Sequence, residues 1–532
     1  MRTPKTKTRP RKTTLASFPV PTAGLISNRN IAMPTGQNQP PGAAMLDNWF
    51  PTPQTVVLRR GIVRRATLPN SSTVKSVISY VVGEKKEIFA ATDDGIWNVT
   101  AVGPSDDLAG LEKLAATNGD WVTVQFSTPG GTFLIGVNGV DPAFIYDGTS
   151  FSPLAVTFPS GSSLTTADLS YVWAYKQRIW FAGKESLDAW YLPVDSIAGQ
   201  LKKLPLGGVF NRGGTLLWGQ NWSLASGGDG GLSEQCVFTT TEGEVAAYQG
   251  LSPDDASSWG KVGVYNVGRP MGKKAFIRAG GDLVIATSIG FIPLGRAIQT
   301  DYAALGLIAV SQPIAEEWRQ AVEKSGGLNW RCELWGEGSM TLIAPPPRAG
   351  AQSVVLVANS DSGAWSRFTG WSPTAIEVFQ GRLYFGSVRG AFQEAWVGGS
   401  DEGLPYTGVM MPLFNDLGGP AQRKIAKFAR VVKRSDYEAD ESVVARFDWD
   451  MSVPPAPSSP TIAIGNEWNN AIWNQSVWNA SRGTFISEDW RSVGGSGYSA
   501  SVLVQVTSYA DVPLDVEIIR VDMSYEQGDI VT

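Results

Sequence analysis

The chain has 532 residues, 43% apolar and 17% charged, with 59 Gly, 33 Pro, 20 Trp and a net charge of −5. This is the profile of a turn-rich, aromatic-packed all-β protein with enough apolar content for a real core, and it excludes a helical bundle. It has no histidine and only two cysteines, which removes the usual general base, zinc ligand and pH switch and leaves no disulfide framework.

Charge is unevenly placed from the first residues. Up to residue 65 there are eleven Lys and Arg against one carboxylate, Asp47, while the remainder holds 33 basic against 48 acidic groups. Six of the basic residues are Arg2, Lys5, Lys7, Arg9, Arg11 and Lys12, set among Thr and Pro. Such a segment cannot bury apolar area, so residues 1–45 are expected to form an extended basic arm and linker. The arm would touch nucleic-acid phosphates or an acidic neighbouring subunit; the alternative is a solvated tail. It carries no interleaved aromatics, which argues against base stacking. An acidic body argues against a protein that holds nucleic acid tightly and suits a conduit that lets it pass.

The run TTLASFPVPTAGLIS after the arm is broken by prolines and has no apolar core, unlike a signal peptide. The uncharged stretch Tyr302–Ala315 is too short to span a bilayer. A soluble protein folded in a reducing cytosol is expected, with Cys236 and Cys332 as small buried residues inside strands. The strand-like run Thr55–Leu58 is expected to close a ring by pairing into its last sheet, which would remove an exposed edge.

From residue 46 to 400 one pattern recurs: a short apolar strand, a Gly-containing turn, and a return on an aromatic. It appears at Phe89–Trp97, Phe133–Tyr146, Trp180–Tyr191, Val237–Tyr248, Leu283–Leu294 and Leu383–Trp396, with a weaker match at Leu342–Trp365. Starts recur roughly every 40–60 residues, as expected for four-stranded blades of a six- or seven-bladed β-propeller. One short helix interrupts them: Ser311-Gln312-Pro313 starts it, Glu316 and Glu317 lie in its first turn, and Gly326-Gly327 ends it. Residues 401–532 read as a second, smaller, sandwich-like β domain. Within it Trp468, Trp473 and Trp478 recur every five residues, each followed by Asn. That period fits neither strand nor helix; it fits successive tight turns, each with a Trp to anchor on an apolar surface, most simply a subunit interface.

Chemistry is sparse. No phosphate-binding loop is present, and Gly227–Gly231 lacks the Lys-Ser/Thr of a nucleotide cradle. Acidic pairs occur at Asp93-Asp94, Asp106-Asp107, Asp254-Asp255 and Glu316-Glu317, but neighbours on a strand face opposite sides. Asp448 and Asp450 would share a strand face as a weak metal site. Asp94–Trp97 and Asp361–Trp365 resemble the Asp-box turn of sialidases without its full spacing. No acid pair stands out as catalytic. The expectation is a non-enzyme without cofactor.

Several stretches resemble one family, the tail nozzle or packaged-DNA stabilisation proteins of short-tailed bacteriophages. They are Leu46–Gly61 (LDNWFPTPQTVVLRRG), Leu305–Trp318 (LGLIAVSQPIAEEW), Gly363–Gly390 (GAWSRFTGWSPTAIEVFQGRLYFGSVRG) and the block Trp468–Gly528. The resemblance implies a structural virion protein. It would be a homo-oligomer, a hexameric ring below the portal and its head-to-tail adaptor protein. The ring would channel and retain packaged double-stranded DNA, carry tail fibres or spikes, and take no small-molecule substrate. Its place would be the virion tail, after assembly in the host cytoplasm. The arm residues and the three Trp are the candidate contact residues. The alternative reading is a carbohydrate-binding or glycan-hydrolysing propeller.

Overall fold

The computed structural model describes residues 13–30, 41–103, 111–225, 232–255, 257–325, 329–348, 353–437, 439–458, 485–509 and 512–530. The chain divides into two compact units: Arg64–Val355 with Trp371–Ala395, and Met1–Val63 with Leu356–Gly370 and Trp396–Thr532.

Among the described residues, the first unit is a β-propeller of six antiparallel blades. Blade 1 is Ser76–Val82, Lys85–Thr92, Gly95–Asn98 and Glu112–Ala115. Blade 2 is Val122–Thr128, Gly131–Val137, Phe144–Tyr146 and Phe151–Pro153. Blade 3 is Leu169–Tyr175, Arg178–Gly183, Asp188–Tyr191 and Lys202–Pro205. Blade 4 is Leu216–Ala225, Leu232–Thr240, Glu244–Gln249 and Gly260–Asn266. Blade 5 has three strands, Phe276–Ala279, Asp282–Ala286 and Phe291–Pro293. Blade 6 is Ala375–Phe379, Arg382–Gly386 and Ala391–Ala395, completed by Ile62–Thr67. A hairpin, Arg331–Trp335 with Met340–Ala344, puts its first strand beside the first strands of blades 5 and 6.

The six sequence hairpins are the second and third strands of the six blades. The returning aromatic lands opposite its starting strand: Trp97 pairs with Ala90, Tyr146 with Leu134, Tyr191 with Trp180 and Tyr248 with Cys236. The faces so created are closed by neighbouring blades. Between blades 3 and 4, the ring of Trp180 stacks on Trp173 at 5.8 Å and on Trp259 at 5.7 Å, and Trp259 stacks on Tyr248 at 5.5 Å. Gly219 makes that approach possible, since a Cβ there would lie 2.3 Å from the Trp173 ring. Cys236 and Cys332 are buried in strands, and burial pushes both thiols up.

Ring closure differs from expectation. Val56–Leu58 pairs with Trp49–Pro51 and with Glu517–Ile530 in the second unit, and Ile62–Thr67 is the strand that completes blade 6. Two adjacent arginines disguise that strand; Arg65 donates to Glu394 Oε2 at 2.7 Å across the blade. The helix forms as expected, a 3-10 turn Gln312–Ile314 running into Ala315–Ser325. Buried Trp318 anchors it, donating from Nε1 to Thr287 O at 2.9 Å.

The second unit holds two sheets. One orders Val354–Asn359, Trp365–Thr369, Ala43–Asp47, Tyr406–Pro412, Ala500–Ser508 and Glu441–Phe447. The other pairs Glu517–Ile530 with Gln422–Ser435 and lines the latter with Phe485–Ser487, Trp490–Ser492 and Ser496–Gly497. Its outermost strand is Thr13–Pro19, seven residues in register with Arg520–Glu526. Those residues read as arm from the sequence, but Thr-Thr-Leu-Ala-Ser-Phe can pair along its whole length and bury Phe18. Gly408 lets the sheets meet: a Cβ there would lie 2.5 Å from Leu58 and 2.7 Å from Trp49.

This unit is knotted by one guanidinium. Arg59 is fully buried and donates from Nε to Asn48 Oδ1 at 2.8 Å, from Nη1 to Arg60 O and Asp401 Oδ1 at 2.9 Å each, and from Nη2 to Thr369 O at 2.9 Å and Asp401 Oδ2 at 2.6 Å. The Tyr406 ring lies 4.0 Å beneath it. All five donors are used, the condition under which a buried charge is tolerated.

Candidate functional site

The contact residues expected from sequence, Arg2, Lys5, Lys7, Arg9, Arg11, Lys12, Trp468, Trp473 and Trp478, lie outside the described residues. So do Asp106, Asp107 and the Gly227–Gly231 loop. The other acidic pairs serve local structure. Asp93 accepts from Gly119 N at 2.9 Å and pairs with Lys75 at 2.7 Å, while Asp94 takes the Ser72 hydroxyl. Asp254 accepts from Tyr191 and Lys202, and Asp255 from Ser257. Glu316 pairs with Arg319 on the exposed helix face.

Asp448 and Asp450 are not on one strand face. They follow the strand Glu441–Phe447 in a turn with positive φ at Asp448 and Trp449, and Asp448 Oδ1 is taken by the Tyr498 and Ser499 amides. Among the described residues, no three of His, Cys, Asp and Glu cluster as a metal site would require. At Asp361–Trp365 the turn is held by Asn359 Oδ1, which accepts from the amides of Asp361 and Ser362, and Trp365 is buried. That is a structural role.

A polar cluster at the centre of the propeller was not foreseen. The first strands of blades 1, 2, 3, 5 and 6 and of the 331–344 hairpin converge on a cavity of about 430 Å³. Its walls are partly apolar, with Val77, Trp121, Phe276, Leu334 and Ile376, and partly charged, with Lys274, Arg278, Arg331, Glu333 and Glu377. Backbone pairing sets the charges side by side. Lys274 bridges to Arg331, and Cys332 N donates to Lys274 O at 3.1 Å.

Asp120, on the connection from blade 1 to blade 2, is the counter-ion. It takes Lys273 Nζ at 3.0 Å on Oδ2 and Arg331 Nη2 at 2.9 Å on Oδ1, with Lys274 Nζ further off at 4.0 Å. Burial opposes its charge, but Lys273, Arg331 and Lys274 together hold the carboxyl far below the usual range. Lys274 Nζ is within 3.1 Å of Ser76 Oγ. Burial, with Arg331 and Lys273 beside it, brings its ammonium down to about 7, against the pull of Asp120 and Glu377.

On the adjoining strands Glu333 and Glu377 are both pushed well above the usual carboxylate range. For each the main cause is burial; Glu333 also feels the charge of Glu377, while the Ser79 hydroxyl, donating at 2.6 Å, and Lys274 act the other way on Glu377. Below about pH 7 these are mostly carboxyl groups able to donate hydrogen bonds. Two further donors are unused: Arg331 Nη1 and Trp121 Nε1 are buried without a hydrogen-bond partner among the described residues. Arg331 is satisfied only through Nε, to Thr374 O at 3.1 Å, and Nη2. The cluster can therefore hold and orient a polar group, and it can exchange protons near neutrality.

No family model matches the chain. No curated protein matches it either. Solved structures do. The computationally designed Ika8 protein is 10% identical, covering 66% of this chain and 96% of its own, with a TM-score of 0.35. BBS1N, crystallised in complex with ARL6DN, is 12% identical over 64% of this chain and 98% of its own, with a TM-score of 0.38. YCF48 bound to D1 peptide is 10% identical over 70% and 99%, with a TM-score of 0.31. Similarity at this level concerns fold and carries nothing about function.

Proposed function

We propose that this chain is a tail nozzle subunit of a short-tailed bacteriophage, forming a ring below the portal and adaptor that channels and retains packaged DNA and carries tail fibres or spikes. The reading rests on the resemblance of the four segments. The observation that supports it best is that two of them, with the paired residues 310 or more positions apart, meet in one network. Asn48 and Arg59 of the first segment bond Thr369 of the third, and Asp47 forms a two-bonded ion pair with Arg367 at 2.7 and 2.9 Å. A likeness concentrated in segments that the fold joins is a likeness of architecture. In this reading the basic arm and the Trp468–Trp478 loop make contacts with neighbouring subunits or with DNA phosphates.

The axial cavity favours the second reading, a glycan-binding propeller, because it gathers arginine, carboxyls and aromatics. Quantitative mass spectrometry of purified particles separates the two. A fixed ratio to the portal protein, consistent with a six-fold tail, is expected. Absence from particles, together with binding or turnover of glycans, would replace the nozzle reading. Deleting residues 1–12 or 468–479 should impair ring or tail assembly and leave the circular dichroism of the β structure intact.

A further inference from the structure

We infer that the axial cavity of the propeller is a binding site for a small organic carboxylate, held by Lys274 and the free edge of the Arg331 guanidinium. Four observations carry this, independently of the nozzle reading.

The first is charge. Three cationic side chains, Lys273, Lys274 and Arg331, surround one ionised carboxylate, Asp120. Two of its close contacts go to Lys273 and Arg331, and Lys274 is left at 4.0 Å with a hydroxyl as its near neighbour. At pH 6, where Glu333 and Glu377 mostly keep their protons, the site has positive charge to spare.

The second is unmet hydrogen bonding. Arg331 is buried, 7% exposed, and its Nη1 has no partner among the described residues. The Trp121 indole on the same cavity wall is in the same condition. Leaving a buried donor unpaired costs about 1–3 kcal/mol, and an acceptor between Arg331 and Lys274 removes that cost.

The third is the state of Glu333 and Glu377. Both are raised, to about 8 and about 7, so at pH 6 they mostly keep their protons, do little to repel an incoming anion, and each can donate to it.

The fourth is the wall. Val77, Trp121, Phe276, Leu334 and Ile376 give the ligand's body an apolar surround, which selects an organic acid over a compact, strongly hydrated oxyanion. A volume of about 430 Å³ lies within the range of small-molecule sites.

The test uses the full-length protein and benzoate as probe, followed by isothermal titration calorimetry at pH 6. Its uncharged isostere benzamide and inorganic phosphate are the comparison arms. Benzoate is expected to bind with Kd of about 1 mM or tighter, and benzamide and phosphate at least about tenfold more weakly. Lys274→Met should weaken benzoate by about tenfold while keeping its thermal melt near wild type. Arg319→Ala, on the exposed face of the helix Ala315–Ser325 and not part of the cavity lining, should retain binding and serves as the folded control. Raising the pH to 8 should weaken binding, because Lys274 loses its proton as Glu333 and Glu377 lose theirs; the other charged groups facing the cavity are Asp120, Lys273, Arg331 and Arg278. Equal binding of benzoate and benzamide would overturn the proposal. So would unchanged affinity in a folded Lys274→Met, phosphate binding as tightly as benzoate, or no benzoate heat at all.

Discussion

Arg59 and Arg331 are both buried guanidiniums in a β framework, and they are opposites in what they leave unfinished. Arg59 spends five donors on Asn48, Arg60, Thr369 and both oxygens of Asp401, over the Tyr406 ring. Arg331 spends two groups and leaves Nη1 unpaired on a cavity wall. A buried charge with every donor met is a clamp, since any change leaves a partner stranded. A buried charge with a donor left over, beside a lysine and two protonated carboxyls, is a site. Burial alone does not separate structural from functional charge; the accounting of hydrogen bonds does.

The largest effect should come from breaking the clamp. Arg59→Met strands Asp401 and should destabilise by about 3–5 kcal/mol, read as a lower denaturant midpoint. Asp401→Asn should fall in the same range, and the double variant should cost much less than the sum, because both changes break one unit.

Arg331→Met should cost less, roughly 1–2 kcal/mol. Asp120 keeps Lys273 at 3.0 Å, and the change removes an unpaired donor. A loss as large as that of Arg59→Met would show that the axial cluster is also a clamp.

Glu377→Gln should sharpen the contrast through pH. A carboxyl whose folded pKa is raised binds its proton more tightly in the native state, so native stability falls as pH climbs from the unfolded value near 4.3 through the folded one. Wild type and variant should therefore unfold alike near pH 4, and the variant should gain, by on the order of 1 kcal/mol, by pH 8. Lys274 acts in the opposite sense above about 7, where the native state binds fewer protons than the unfolded one and stability recovers with pH. A flat difference between wild type and Glu377→Gln across this range would mean that Glu377 ionises normally.

Arg319→Ala should do least. Its bonds to Glu316 and Glu323 lie on the exposed face of the helix Ala315–Ser325, where screening leaves little net energy. No resolvable change in the melt is expected.

The blades were legible in the sequence because each hairpin is a local event: an apolar run, a turn that accepts Gly, and an aromatic that pairs directly across, as Trp97 does with Ala90. The helix was legible for the same reason, from a proline, two acids and an apolar stripe within one segment. The closing strand Ile62–Thr67 was not, since Arg64-Arg65 breaks its alternation, and only Glu394, brought alongside by the fold, explains Arg65. The axial site left one faint trace, a single glutamate within each of two short, otherwise largely apolar strands, Arg331–Trp335 and Ala375–Phe379.

What the sequence determined by itself was class and repeat: an all-β chain whose apolar faces recur in blade-sized units and need neighbours to cover them. Tertiary structure decided which charges meet. Asp120 and Arg331 are 211 positions apart, and Arg59 and Asp401 are 342 apart. No local pattern encodes such pairs, because their energy comes from shared burial, and burial exists only once the ring and the sheets have closed.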